Sequence, residues 1–201
     1  ILFYASGPDA IVSDSLNKRF THQKNIYSDV SYYFLNFNLG PGKRVSTQNA
    51  LTNATVQTNS YNGYYFYEKD SSNLGKFGKA WYGEEFSDLP GRYLNRSFSV
   101  PLQHVQSASP VYLRTRLGSI HSSGISTMSV SMGGQNVQNI QLQPIGFSFS
   151  DPVLRMSDLT STIPSAPSSL QLDFNYTKGN SSAAGYLDFF EINVEKISNF
   201  R

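Results

Sequence analysis

The chain has 201 residues, a formal net charge of +2 and no cysteine. That length can bury a sizeable core without metal or disulfide support, and the missing thiols exclude disulfide frameworks, thiolate metal sites and a cysteine nucleophile within these residues. The small positive charge is scattered rather than clustered, which argues against a nucleic-acid partner, and no apolar run approaches the roughly 18 residues of a membrane-crossing helix.

The chain opens on Ile1-Leu2-Phe3-Tyr4, which reads as a strand with no initiator Met, basic leader or apolar signal core ahead of it. An excised part of a longer protein is therefore expected. Period-two alternation dominates from there on, and helical periodicity is almost absent. Strands are predicted at 31–38, 63–68, 93–100, 111–117, 125–132, 137–143, 145–150, 170–176 and 186–194. In the span 111–117 apolar residues alternate with Arg114 and Arg116, the pattern of a strand with one buried and one wet face. On the last strand Phe190, Ile192 and Val194 fall on one face by simple alternation, and Leu187 and Phe189 on the other. The one helical possibility is a turn or two over 70–79, weakened by Gly75 and Gly78.

Gly40-Pro41-Gly42, Gly133-Gly134 and the Ser/Pro/Thr tract 161–169 read as turns or loops. The segment 178–182 has the length of a hairpin link between the last two strands. Many short strands at this spacing predict an all-β fold, a β-sandwich of jelly-roll or galactose-binding-like form. A compositional break near 47–54 suggests a small N-terminal β element over 1–48 and the main sandwich over 49–201.

No catalytic constellation emerges. His22, His104 and His121 lie far from one another in sequence, no HExxH-type pattern occurs, and no G-x-S-x-G elbow is present. Glu84 and Glu85 follow Trp81-Tyr82-Gly83, but adjacent strand residues point to opposite faces, so the pair cannot straddle a glycosidic bond. Trp81 and Phe86 read as core anchors there. Exposed aromatics offer a second reading, a carbohydrate platform for which Tyr61, Tyr64, Trp81 and Tyr82 are the candidates and Tyr65 and Tyr67 further ones. Cofactors are not expected. A structural calcium ion is conceivable in a jelly roll, and Asp188 and Glu191 supply carboxylates, but no ligand-rich loop accompanies them. The sequons at Asn53, Asn95, Asn175 and Asn180 arise easily by chance in so Asn- and Ser-rich a chain.

Longer patterns add a resemblance. Phe20, His22, Asn25, Tyr27-Ser28-Asp29 and Tyr32-Tyr33-Phe34-Leu35, followed by Gly42-Lys43-Arg44-Val45, resemble the region ahead of the peptidase domain in PorU-like proteins. These are the gingipain-type cysteine peptidases that act as sortases of the type IX secretion system in Bacteroidetes. Leu2-Phe3-Tyr4 with Gly7-Pro8, Tyr67-Glu68-Lys69-Asp70, Asn73-Leu74 and Trp81-Tyr82-Gly83-Glu84-Glu85-Phe86 fit the same region. So does Ala184-Gly185-Tyr186-Leu187-Asp188-Phe189-Phe190-Glu191-Ile192, which is similar to the strand that closes the family's sandwich. One departure is Ala10-Ile11-Val12, where the family pattern has a Trp.

The resemblance implies a cell-surface location at the outer membrane and a parent that cleaves sorting domains from exported cargo. The Cys and His of that chemistry would lie in a downstream caspase-like domain, so no catalytic residue transfers to this chain. The reading that follows is an accessory, non-catalytic sandwich module that positions the peptidase domain of the same chain and contacts exported cargo. The alternatives are a module that binds a surface glycan and a structural or adhesive domain of another surface protein. On its own residues, the Asn25, Ser28 and Asp29 block reads as turn chemistry ahead of an apolar strand.

Overall fold

The computed structural model describes residues 4–42, 46–49, 52, 53, 56, 58–76, 80–146, 148 and 150–198. Eleven strands are present among them: β1 (Ala10–Asp14), β2 (Arg19–Gln23), β3 (Ser60–Glu68), β4 (Glu85–Phe86), β5 (Asn95–Ser99), β6 (Val111–Ile120), β7 (Ser126–Met132), β8 (Gln135–Leu142), β9 (Arg155–Ile163), β10 (Gln171–Thr177) and β11 (Ala184–Ile197). They form a two-stranded β1-β2 hairpin, a four-stranded sheet in the order β5-β10-β7-β8, and a five-stranded sheet in the order β3-β11-β6-β9 with β4 also paired to β11. Every pairing among these strands is antiparallel. The all-β sandwich expected from the alternation is what the chain forms.

The two larger sheets bury one face each against the other. Val111, Leu113 and Leu117 of β6 and Phe190, Ile192 and Val194 of β11 meet Met128, Val130 and Met132 of β7 and Leu172, Phe174 and Tyr176 of β10. At the centre, Phe98 sits 5.4 Å from both Phe174 and Phe190, and Tyr67 stacks on Phe190 at 5.1 Å. Such aromatic pairs add to burial through their ring quadrupoles. Several polar groups inside this core are linked in chains: the Tyr176 hydroxyl lies 2.5 Å from Ser119 Oγ and donates to Ser126 Oγ, and Thr115 donates to Gln138. Ser119 Oγ also meets Nδ1 of the buried His121, whose Nε2 has no hydrogen-bond partner among the described residues. A polar group left without a partner there would cost about 1–3 kcal/mol.

One irregularity governs β11. Its pairing with β6 steps from Leu187 opposite Leu117 to Phe189 opposite Arg116, so Asp188 is the extra residue of a β-bulge. A bulge inserts one residue and so reverses the facing of everything beyond it. Leu187 and Phe190 therefore both reach the core, each fully buried. The simple alternation that placed Leu187 opposite to Phe190 is corrected here.

Other expectations also change. The span 31–38 is rich in aromatic and apolar residues but forms no strand, and its side chains are largely exposed. Residues 70–76 contain no helix, and 145, 146, 148 and 150 form no strand. Trp81 is no core anchor, with 43% of its surface exposed, whereas Phe86 is fully buried. The 178–182 link crosses from β10 in one sheet to β11 in the other instead of closing a hairpin. β1, β2, β4 and β9 were not predicted, and β9 takes the first residues of the predicted 161–169 loop. Gly133 and Gly134 form the expected β7–β8 turn, with φ of 57° and 84°, a conformation that glycine adopts without strain. The predicted strand at 1–4 falls mostly on residues outside those described, as do Lys43-Arg44-Val45 and the end of the 70–79 span.

Candidate functional site

The outer face of the five-stranded sheet is unusually polar for a surface that is partly covered. Glu191 and Asn193 point outward from β11, Tyr64, Phe66 and Glu68 from β3, and Tyr112, Arg114 and Arg116 from β6, as their shared registers require. β2 of the β1-β2 hairpin lies against this face. The Asn193 side chain acts as a substitute strand for it: its Oδ1 accepts from Phe20 N–H at 2.6 Å and its Nδ2 donates to Phe20 O at 3.0 Å. The Glu191 carboxylate, only 2% exposed, accepts from His22 N–H at 3.1 Å, from the Tyr64 hydroxyl at 2.7 Å and from Arg114 Nη1 at 3.0 Å. Arg114 is completed by a two-pronged contact to Asp158 at 2.8 and 2.6 Å. Burial and the Glu191 contact push the Tyr64 hydroxyl pKa up, so it remains a donor.

Beyond the hairpin the same face is left as a cleft of about 730 Å³. Its position follows from topology. β3 flanks β11 from Phe189 onward, while β4 flanks it at Gly185 and Tyr186. The bulge at Asp188 marks the change of neighbour, and the cleft opens there. Its walls come from four separate stretches: His22, Asn25, Tyr27 and Asp29; Phe66, Glu68 and Asp70; Trp81 and Tyr82; Asp188 and Phe189, with Arg114 and Arg116 from β6. Four of the stretches whose residue patterns resemble the PorU-like family, those holding His22 to Asp29, Glu68 and Asp70, Trp81 and Tyr82, and Asp188 and Phe189, supply residues to this one cleft.

The segment after β2 is fastened at several points. The His22 ring stacks on Phe66 with centroids 3.8 Å apart, and its Nε2 meets Asp9 Oδ2 at 2.9 Å. Asp9 also accepts from Asn25 N–H. Asn25 Oδ1 accepts from Tyr27 N–H at 2.9 Å, and Ser28 Oγ exchanges bonds with Val30 backbone, the turn chemistry expected of these residues. Asp29 lines the cleft. Lys24 donates to Glu68 Oε1 at 3.0 Å and also to Asp70. His22 and Ser28 are thus engaged with Asp9 and Val30, and no serine–histidine relay links them.

Asp188 is the most perturbed acid of the cleft. Its side chain is 14% exposed and pairs with Arg116 Nε at 3.2 Å. Burial raises its pKa, Glu68 and Asp70 raise it further, and Arg116 and Lys24 oppose them; the outcome is a carboxyl pushed up to about 6. A titrating acid of this kind in a cleft is a recognised mark of a binding or reactive site. Tyr82, beside it, is raised by burial and by Asp188.

The aromatic residues singled out in the sequence do not make one surface. Trp81 and Tyr82 share the cleft. Tyr64 lies under the hairpin with Phe20 edge-on at 6.0 Å. Tyr61 stands at the other end of β3, where Lys196 Nζ is 5.5 Å from its ring, and Tyr65 and Tyr67 pack on the core. Glu84 and Glu85 belong to different ion pairs, Glu84 with Lys69 and Arg96 and Glu85 with Arg92. Among the described residues no group of three or more His, Asp or Glu is disposed to hold a metal ion, so calcium gains no site there. No helix among them is long and apolar enough to cross a membrane. The periodicity of the sequence carried no signal for the cleft; the bulge and the hairpin that shape it are both departures from periodicity.

No family model matches the chain, and no curated protein does. Among solved structures it is similar to dimeric latent PorU from Porphyromonas gingivalis, with a TM-score of 0.63 and 18% identity over 97% of this chain. The chain covers 18% of the length of that protein. A CBM36 carbohydrate-binding module in complex with calcium and xylotriose matches 65% of this chain and 98% of its own at 14% identity, with a TM-score of 0.34. The first likeness shows the fold; the second is too distant to carry an argument.

Proposed function

We propose that this chain is a non-catalytic accessory β-sandwich module of a cell-surface, gingipain-like cysteine peptidase of the type IX secretion system. Its role is to position the peptidase domain of the same chain and to contact exported cargo. The observation that carries the reading is the fold-wide similarity to PorU, which extends over 97% of the chain. Two features support it. Four of the family-like stretches meet at one cleft. The segment 26–39 also exposes a run of large apolar side chains, including Phe34 at 93% and Phe37, an amount of apolar surface that a soluble module hides against a neighbour. In this reading 49–201 is the sandwich and 1–48 is an element docked on it.

Peptidase assays with the isolated chain are expected to be blank. In the longer protein, replacing Phe34 and Phe37 together by Ser is expected to lower the yield of processed cargo while the isolated module melts as before. Cleavage by the pure isolated chain, or full processing with the double variant, would remove the proposal. A glycan-binding module is the second reading, and the exposure of Trp81 next to Tyr82 is what favours it. Binding on a glycan array that Trp81→Ala abolishes would establish it.

A further inference from the structure

We infer that the cleft on the outer face of the five-stranded sheet receives a cationic side chain, a lysine or arginine carried by a peptide segment. This concerns what the face binds and stands whether or not the parent is a peptidase.

Charge in the cleft is unbalanced. Four carboxylates line the cleft, Asp29, Glu68, Asp70 and Asp188, together with the cations Lys24, Arg114 and Arg116. Arg114 is spent elsewhere, since both of its partners, Asp158 and Glu191, lie outside the lining. Lys24 is shared by Glu68 and Asp70, and Arg116 serves Asp188. Four negative charges therefore face two positive ones. Arg116 is itself 45% exposed, so water screens the pair it makes with a carboxylate that is nearly buried. An incoming cation would supply the missing charge where the dielectric is lowest.

The walls suit the same guest. Trp81 and Tyr82 line the cleft with aromatic rings, beside Phe66, on which the His22 ring stacks, and Phe189, over which the Arg114 guanidinium lies, and ring faces attract ammonium and guanidinium groups. The aliphatic stem of a Lys or Arg can lie along such rings while its head meets the acids. A volume of about 730 Å³ takes a long side chain with part of its backbone. A bare metal ion fits poorly, because no group of three ligating side chains converges among the described residues. An anion would meet the excess of carboxylates.

The state of Asp188 agrees with this. Lys24, Glu68, Asp70, Tyr82 and Arg116 are the charged and titratable groups around it, from four different segments, and together with burial they leave its carboxyl raised to about 6. An acid so placed holds its negative charge reluctantly, and a guest cation relieves it.

Trp81 is the one tryptophan of the chain, so its fluorescence reports on this cleft. The test titrates the full 201-residue chain at pH 7.5 with three capped tripeptides, Gly-X-Gly, in which X is lysine, arginine or norleucine. Saturable fluorescence changes are expected with lysine and arginine, and none with norleucine. Asp188→Asn is expected to weaken lysine binding about tenfold or more, with a melting temperature no lower than that of the parent sequence. Lowering the pH from 7.5 to 5 is expected to weaken binding in the parent sequence and to change it little in the variant. Equal response to norleucine, an Asp188→Asn variant that binds unchanged, or a response confined to neutral oligosaccharides would overturn the inference.

Discussion

At the scale of single residues, two carboxylates on one strand have opposite fates. Glu191 has three donors around it and is almost fully buried, so its charge is matched within the fold. Glu191→Leu would leave the Tyr64 hydroxyl and one side of Arg114 without their acceptor. A loss of about 2–3 kcal/mol is expected in urea unfolding, somewhat below the range for breaking a fully buried pair because Arg114 keeps Asp158. Asp188 is the reverse. Its folded carboxyl titrates near 6, above the ordinary value of 3.8, so the folded state binds its proton more tightly than the unfolded one. Its contribution to stability is fully present below about pH 4 and is lost as pH rises through about 6. Asp188→Asn is therefore expected to match the parent sequence at pH 4 and to exceed it by about 2 kcal/mol at pH 7.5. Thermal melts across that range check this, and an equal gap at both pH values would contradict it. A residue that lowers the stability of its own fold is typical of a site kept for binding.

At the scale of elements, the outcome depended on whether a partner was available as much as on pattern. β10 and the 111–117 part of β6 were plain in the sequence because their buried positions alternate without interruption. The span 31–38 has the apolar and aromatic composition of a strand, but pairing requires a neighbouring edge, and composition says nothing about one. The reverse holds for β1, whose five residues are all exposed and whose pattern therefore carries no period. It is a strand because β2 pairs with it and Asn193 holds β2 down. The bulge at Asp188 was illegible for a related reason: an inserted residue shows only once the register of β6 is known. The Asn193 contact gives a test at this scale. Asn193→Leu removes both bonds to Phe20 and is expected to cost about 1–3 kcal/mol. Amide exchange of Arg19–Gln23 should accelerate while that of β6 stays slow. Uniform acceleration through the sandwich would mean that the hairpin is integral to the core rather than docked on it.

At the scale of the whole molecule, the apolar surface is unevenly spent. The space between the sheets is filled by large side chains, yet Tyr32, Tyr33, Phe34, Leu35, Phe37 and Leu39 stand exposed on one segment. The sequence displayed those residues openly, and Tyr32, Tyr33, Phe34 and Leu35 are part of the pattern that resembles PorU-like proteins, but their exposure needed the fold. A module that docks through this segment accounts for the cost of leaving it bare. Substitutions there should leave stability within about 0.5 kcal/mol, as for surface positions with no structural duty. Phe34→Ser with Phe37→Ser, melted as the isolated module, checks that expectation. The most direct test of the accessory-module account is hydrogen exchange of the amides in 30–39, measured in the isolated chain and again in the longer protein that carries it. Rapid exchange in the isolated chain and strong protection in the longer protein is the result expected; equally rapid exchange in both would contradict the account.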